Sequence, residues 1–246
     1  MVASVLKISL VAMGVVAIGL ALVLVWLRQV WFYRDPQRIP PAVKGSIVAP
    51  ADGQVVYVRP FRQGKVEAVK LGTRIPLEEI LKAAPEYGQE GWILGIYMSP
   101  LDVHFNYAPI SGRLTQMYHI PASFNLPMVD LWEYIRLTYL HRAIDLFGRK
   151  HHLENERLTM FLEGDGIRLA TVEIADKFVN KITRFVEPGM FVKQGQKTSF
   201  IGRGSQVDLV LFGQDFDIKV KVGDRVRGAE TIVAIPQDSA SSTMKG

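Results

Sequence analysis

The chain has 246 residues, of which 48% are hydrophobic, and its formal net charge is +5. It contains no cysteine, which excludes a disulfide framework and a thiolate metal site. The positive charge comes without a long Lys/Arg tract or an RNA-type aromatic motif, so it favours an anionic lipid surface as partner over nucleic acid.

An apolar run opens the chain at residues 8–27. Its twenty residues carry no charge and suffice for a helix that crosses a bilayer. Around its end stand aromatic and basic side chains of the kind found at membrane interfaces: Trp26, Arg28, Trp31, Phe32, Tyr33 and Arg34. A cleaved signal peptide is the alternative, but the run is longer than the apolar part of such peptides. We therefore predict that residues 1–31 form a membrane anchor.

The charges on either side of this run predict its orientation. Only Lys7 precedes it, whereas Arg28, Arg34, Arg38 and Lys44 follow it. By the positive-inside rule, the chain crosses the cell membrane once and keeps the rest of its length on the cytoplasmic face.

The sequence of residues 32–235 predicts one mainly β domain of the α+β class. Three prolines between residues 36 and 41 end the apolar helix and stiffen the chain beyond it. From Ile47 onward, β-rich runs alternate with glycine turns. The turns at residues 189–195 and 223–229 are similar to each other, which is typical of a lipoyl-like barrel-sandwich β core.

Helices are predicted at two places in this domain. A short one covers residues 76–84, with a proline in its first turn and another that ends it. A longer, amphipathic one lies between residues 127 and 148, where apolar residues recur every three or four positions: Met128, Trp132, Ile135, Tyr139, Ala143 and Leu146. It either packs on the β core or rests on a membrane, and the sequence leaves both open. The polar tail, residues 236–246, is expected to be disordered.

Four separated segments carry polar residues that could act together. The segments are an Asp-Gly turn, a turn after a buried strand, a polar trio before another strand and a Gly-Ser bend. Their residues are Asp52, Asp102, His104, Asn155, Glu156, Arg157, Gly204 and Ser205. Each segment alone has an ordinary structural explanation. A serine hydroxyl beside a glycine carbonyl on a tight bend can, however, attack its own backbone and become a carbonyl cofactor.

In this order and context, the segments resemble the phosphatidylserine decarboxylases, in particular their short prokaryotic branch. The matching segments extend over most of residues 32–234, and they are residues 32–36, 50–53, 99–104, 155–157 and 204–208. Together they are specific, although no single one would be.

The resemblance implies a carboxy-lyase that makes phosphatidylethanolamine and CO2 from phosphatidylserine with a covalent pyruvoyl group and no metal. Attack of Ser205 on the Gly204 carbonyl would split the chain into a β chain, residues 1–204, and an α chain, residues 205–246. The pyruvoyl group is what remains of Ser205. The partners implied are the phospholipid and its membrane, and a heterodimer of the two chains that could assemble further.

The resemblance also suggests roles for the individual residues. The predicted catalytic residues are Ser205, His104 and Asp52, with proton transfer given to His104 because an imidazole titrates near neutrality. The predicted substrate-binding residues are Asp102, Asn155, Arg157 and Arg203.

Two positions depart from the family's pattern. Longer members carry a second histidine where this chain has Tyr107, and they pair it with the aspartate of the Asp-Gly turn to activate the serine. The activating base is therefore open between His104 and Asp52 acting with water. Arg203 stands where the short branch usually has an aromatic residue, and it could contact the substrate phosphate.

Other functions compete with this interpretation. One is a decarboxylase-like protein that no longer cleaves itself, and another is a non-enzymatic membrane adaptor with a lipoyl-like barrel. The hairpin at residues 223–226 argues against a lipoyl carrier because no lysine stands at its tip. A metal hydrolase built on His151 and His152 is disfavoured, since adjacent histidines point apart on a strand.

Overall fold

The protein is represented by a computed structural model that describes residues 2–68, 73–84, 87–122, 124–177, 182–202 and 205–237. The chain forms two compact units, Met1–Pro36 and Gln37–Gly246. Helix α1, Val2–Trp26, and a π-helical turn, Leu27–Trp31, make up most of the first unit. Leu6–Trp31 has a mean hydropathy of 2.8, so this helix is long and apolar enough to cross a membrane.

The second unit is mainly β, as predicted. Its strands are β1 (Ile47–Val48), β2 (Gly53–Arg62), β3 (Lys65–Ala68), β4 (Thr73–Pro76), β5 (Gly91–Met98), β6 (Phe105–Tyr107), β7 (Gly112–Ile120), β8 (Arg157–Gly164), β9 (Ile167–Ala175), β10 (Ile182–Arg184), β11 (Phe191–Val192), β12 (Lys197–Ile201), β13 (Ser205–Phe212), β14 (Phe216–Ile218), β15 (Arg225–Val226) and β16 (Ile232–Pro236). Its helices are α2 (Leu77–Leu81), α3 (Leu131–Thr138) and α4 (Lys150–Glu154).

One large antiparallel sheet organises this unit, in the order β11-β7-β8-β9-β13-β5-β2-β3-β4, with β15 paired to β2. Two three-stranded sheets accompany it, β1-β16-β14 and β10-β12-β6. Strand β13 lies near the middle of the large sheet, between β5 and β9, and all eight of its residues are buried. A strand in this position is buried on both faces, so its side chains alternate between two cores.

The two faces of the large sheet bury different partners. On one face, Val207 and Leu209 of β13 belong to a core that includes Ile182 and Ile201 of the small sheet β10-β12-β6. On the other face, β13 contributes Val210 to a core shared with the helices, whose buried residues there are Leu77, Ile80, Leu81 and Leu137. The described part of the second unit is therefore layered, with small sheets on one side of the large sheet and helices on the other.

The long helix predicted between residues 127 and 148 is wrong in its extent. Asp130 caps α3, since its carboxyl oxygen accepts the Glu133 N–H at 2.7 Å, and the helix ends at Thr138. His141 then takes a left-handed backbone conformation, with φ at 51°. Trp132 and Tyr139, predicted on the inner face, are 62% and 60% exposed. The three-to-four spacing of apolar residues continues past the point where the helix ends.

Other local predictions fare differently. The short helix expected at residues 76–84 is present as α2. His151 and His152 lie on helix α4, so the strand geometry used against a metal site there was wrong. In the predicted tail, Pro236 ends β16, and residues 238–246 lie outside the described residues.

Candidate active site

Ser205 is the first residue of the central strand β13. Its backbone pairs with Met98 of β5 on one side and Ala175 of β9 on the other, and the residue is fully buried. The hydroxyl donates to the Met98 sulfur, with 3.2 Å between Oγ and Sδ. Arg203 and Gly204, also predicted for this site, lie outside the described residues. The serine therefore stands at the end of a rigid strand, shielded from water.

His104 lies on the flank of β6 and is fully buried. Its Nδ1 is 3.0 Å from the Asp102 carbonyl oxygen, which can only accept, so Nδ1 carries the proton and Nε2 is the basic nitrogen of the neutral ring. The His104 carbonyl accepts the Ile201 N–H at 3.1 Å. This bond joins His104 to strand β12, four residues before Ser205.

Asp102 forms the turn between β5 and His104. Its Oδ2 accepts the Ser99 backbone N–H and the Ser99 hydroxyl, both at 2.8 Å, and its Oδ1 pairs with the Arg225 guanidinium at 2.5 Å. The carboxyl therefore fixes the loop that presents His104. A role in substrate binding stays a prediction.

Asp52 is held by an arginine that the sequence analysis had used only as a flanking charge. Arg38 Nη2 donates to both carboxyl oxygens, at 2.9 and 2.7 Å, and the Gly228 N–H donates to Oδ1 at 2.7 Å. Burial raises the pKa of Asp52, although both donors lower it. Tyr107 lies within hydrogen-bonding reach of Arg38. The aspartate and the tyrosine thus belong to one cluster around Arg38, which weakens the case for Asp52 as a base.

A glycine permits this cluster to close. A Cβ on Gly228 would clash with the Tyr107 ring at 2.7 Å and would lie 3.1 Å from the Ala51 carbonyl carbon, which is tighter than an ordinary contact. Only glycine lets the backbone N–H approach Asp52 here.

The polar trio at residues 155–157 bonds mainly to backbone groups. Asn155 Nδ2 donates to the Ala175 carbonyl at 2.7 Å, and the Glu156 carbonyl accepts the Ala175 N–H at 2.9 Å. Because Ala175 lies opposite Ser205, these bonds fix the strand end beside the serine. Arg157 is fully buried and donates to the Ile80 carbonyl at 2.8 Å, and burial lowers its pKa to about 10. The predicted contacts of Asn155 and Arg157 with substrate remain predictions.

A buried polar group that the sequence analysis missed lies on the Ser205 face of the large sheet. Ser199 of β12 donates to Glu173 Oε1 at 2.6 Å, and Asn106 Nδ2 of β6 donates to Ser199 Oγ at 2.9 Å. All three residues, called here the Glu173 cluster, are almost completely buried. Burial raises the pKa of Glu173 to about 8. An acidic residue inside the apolar run of β9 was the available signal.

The opposite face carries a second buried polar network, centred on Asp208. His152 lies 2.7 Å from Asp208 Oδ2 through Nε2, while Tyr57 and Gln206 donate to Oδ1 at 2.5 and 2.8 Å. The Gly148 N–H donates to His152 Nδ1 at 3.3 Å, so the histidine proton is on Nε2 and points at Asp208. The network binds β13 to β2 and α4.

Replacing His152 with phenylalanine should lower the free energy of unfolding by about 2–3 kcal/mol. An aromatic ring still fills the position, but the buried Asp208 carboxyl loses one of its three donors, and such losses are costly. His151→Phe is the matched control, because burial lowers the pKa of His151 to about 3 and no described residue hydrogen-bonds its Nε2. Urea unfolding of the full chain in detergent measures both variants. Equal losses would contradict the role given to the Asp208 network.

The described residues contain no group of three or more His, Cys, Asp or Glu side chains placed to hold a metal ion. His152 is engaged by Asp208, and His151 has a lowered pKa through burial. These two histidines therefore serve the packing of α4.

Comparisons with known proteins agree with the motifs. A family model described as phosphatidylserine decarboxylase matches residues 27–234. A relative from Methanocaldococcus jannaschii, with the provisional name archaetidylserine decarboxylase proenzyme, is 32% identical over 209 residues, which are 85% of this chain and 90% of the relative. The phosphatidylserine decarboxylase proenzyme of Pelobacter propionicus is 30% identical over 211 residues, 85% of this chain and 77% of that protein.

Proposed function

The chain belongs to the phosphatidylserine decarboxylase family, and on that basis we propose that it is a proenzyme that cleaves itself between Gly204 and Ser205 before it decarboxylates a phospholipid. The observation that carries the proposal is the position of Ser205, which is fully buried at the first position of the central strand. His104 is tied to the strand that precedes it, through the Ile201 N–H.

Self-cleavage starts when Ser205 Oγ attacks the Gly204 carbonyl carbon and its proton passes to a base. The C–N bond breaks, the nitrogen of residue 205 takes a proton, and the two residues are then joined by an ester. Loss of the residue 205 Cα proton expels the Gly204 carboxylate and leaves dehydroalanine. Addition of water and loss of ammonia complete a pyruvoyl group at position 205.

His104 is the best-supported base for the first step. Asp52 is held by Arg38 and Gly228, whereas the Nδ1–H bond to the Asp102 carbonyl leaves His104 Nε2 as the basic nitrogen. We assign the same imidazole to proton transfer at the carbon that loses CO2.

The residues around position 205 fit a pyruvoyl group. A small planar group would replace a small side chain between Met98 and Ala175, and the buried Glu173 cluster provides polar atoms on the same face. Such a group supplies an electrophilic carbonyl that engages the substrate amine and takes up the electrons left by CO2. The chain's own part is to position residue 205 at the end of β13 and to transfer a proton through His104.

The two products would stay together as a heterodimer. The α chain begins with β13, which pairs with β5 over eight residues and with β9 over seven. The Asp208 network adds side-chain bonds from Tyr57 and His152 to the α chain. Cleavage would therefore leave the central strand in its place.

The membrane is the proposed second partner. Five exposed apolar side chains lie between residues 124 and 140, and we call them the aromatic patch: Phe124, Leu131, Trp132, Tyr139 and Leu140. Trp and Tyr with aliphatic neighbours are typical of membrane-interface surfaces. Together with α1, this patch supports a domain that rests on the cytoplasmic face of the cell membrane, where its lipid substrate lies.

Trp132 should contact lipid in the reconstituted protein. In a full chain whose other three tryptophans are replaced by phenylalanine, we expect brominated lipids in liposomes to quench Trp132 fluorescence. A variant that keeps only the half-buried Trp92 is the control and should be quenched little. Equal quenching of the two would contradict membrane contact by the aromatic patch.

Intact mass and an activity assay test the proposed function directly. The purified full chain should separate under denaturing conditions into residues 1–204 and 205–246, the smaller one without a free N-terminal amine. Liposomes with diacyl and with ether-linked serine lipids should both be assayed for CO2, since relatives carry both names. A folded protein that stays a single chain of 27.6 kDa would contradict the proposal.

A further inference from the structure

Glu173 is a buried acid on the same face of the large sheet as Ser205. In β9 and β13, Ala175 lies opposite Ser205, and Glu173 lies opposite Val207. Directly paired residues share a face, and every second residue returns to it. Ser205 and Glu173 are thus diagonal neighbours, a spacing of about 7–8 Å that a long side chain can bridge.

The Glu173 cluster also includes residues of two short strands next to the site, β12 and β6. Ser199 stands on β12 two residues before Ile201, and Asn106 stands on β6 two residues after His104. Ile201 and His104 are themselves joined by a backbone hydrogen bond of 3.1 Å. The carboxyl of Glu173 therefore connects the sheet that holds Ser205 to the strands that hold His104 and lead to the cleavage bend.

Two atoms of this cluster indicate that the carboxyl is a neutral acid. Glu173 Oε2 and Asn106 Oδ1 are both buried, and no described residue makes a well-formed hydrogen bond to either atom. The Asn106 side chain lies close enough to Glu173 to lower its pKa, but burial raises it by more. A buried carboxylate oxygen that receives no hydrogen bond is costly, whereas a proton on Glu173 turns that oxygen into a donor. The raised pKa of Glu173, about 8 through burial, agrees with this geometry.

We propose that Glu173 is a positioning residue for self-cleavage, which as a neutral carboxylic acid acts through Ser199 and Asn106 to hold the ends of β12 and β6 beside Ser205. This inference rests on the proposed function, because it concerns how the cleavage geometry is kept. An ionised Glu173 would draw water or a cation into the apolar layer and loosen both strand ends.

Few other groups around Glu173 could make the rate of self-cleavage depend on pH above neutrality. Leu158 of β8 and Val207 of β13 are its cross-strand neighbours, and neither ionises. The Lys197 ammonium of β12 lies over the Phe105 ring, 4.7 Å from its centre. Asp208 of β13 bonds to groups on the other face. His104 directly precedes β6, and imidazoles ordinarily titrate below this range. Tyr107 ends β6, and phenols ordinarily titrate above it.

The rate of self-cleavage should therefore fall as the pH rises through about 8. At pH 9 a single group of this pKa is about nine-tenths ionised, so the wild-type rate should drop about tenfold. Glu173→Gln is a permanently neutral isostere. It should cleave at nearly the wild-type rate at neutral pH and keep that rate at pH 9.

The experiment follows the full chain during cell-free synthesis with liposomes, at buffered pH values from about 6.5 to 9.5, by the appearance of two chains on denaturing gels. Glu173→Leu should be slow at every pH. Thr171→Val is the matched control, since Thr171 is buried on the same face of β9 and its hydroxyl has no described hydrogen-bond partner. It should leave the pH profile unchanged.

Three results would overturn the inference. One is a wild-type rate that does not fall by pH 9, and another is a Glu173→Gln profile that falls with the wild-type midpoint. If the Gln variant does not fold, Ser199→Ala tests the same point. The Ser199 hydroxyl lowers the pKa of Glu173, so its loss should move the alkaline midpoint upward, and an unchanged midpoint would be the third. A wild-type chain that never splits would instead contradict the proposed function.

Discussion

A Ser205→Ala chain is expected to remain in one piece and to release no CO2. The methyl group of alanine has no oxygen to attack the Gly204 carbonyl, so neither the ester nor the pyruvoyl group can form. The residue is fully buried beside Met98 and Ala175, and alanine is small enough to fit there without disturbing β13. The variant should therefore fold with its sheet intact.

Denaturing gels, intact mass and CO2 release measure this variant against Ser111→Ala. Ser111 accepts the Gln194 N–H at 2.9 Å on an exposed turn, so its replacement removes a hydroxyl without touching the site. The control should split and decarboxylate like the wild type. Cleavage of Ser205→Ala at residue 204, or CO2 release by the uncleaved chain, would refute the assignment of Ser205.

A His104→Ala chain should decarboxylate about 10²–10⁴ times more slowly than the wild type, the usual contribution of a general acid–base group. His104 is fully buried, its tautomer is fixed by the Asp102 carbonyl, and its backbone is bonded to Ile201. No exposed histidine elsewhere in the described structure is placed to take over proton transfer when His104 is replaced. Self-cleavage should slow as well, since the same imidazole is the proposed base.

The two effects of His104→Ala are separated by dividing CO2 release by the amount of split chain. His141→Asn is the control, because His141 is exposed and asparagine tolerates its left-handed backbone. A His104→Ala chain that splits slowly but decarboxylates at the wild-type rate once split would leave His104 a role in maturation alone.

Several interactions at the site join residues that are far apart in the sequence. In the sequence Arg38 is one of several charges after the apolar run, yet in the structure it pairs with both Asp52 and Glu230. Likewise, Glu173 and Ser199 stand 26 positions apart, and His152 and Asp208 stand 56 apart. Which residues face each other depends on strand register, which no local pattern carries.

The predicted long helix illustrates the same limit at short range. Its apolar spacing was real, but Asp130 and His141 mark a beginning and a change of direction that spacing alone ignores. Trp132 and Tyr139 consequently lie outside the core and are exposed. Leu137 is the apolar residue of α3 that is buried instead, in the core between the helices and the large sheet.

The sequence by itself determined the apolar N-terminal helix, the mainly β domain and the order of motifs that ends in Gly204-Ser205, because length, hydropathy and short motifs are properties of contiguous residues. The tertiary structure alone decided that Asp52 is held by Arg38, that Asn155 and Glu156 fix the strand opposite Ser205, and that a buried acid lies on the same face of the large sheet as the serine. Those contacts join segments that are far apart in the sequence, and burial and strand pairing are set by the whole fold.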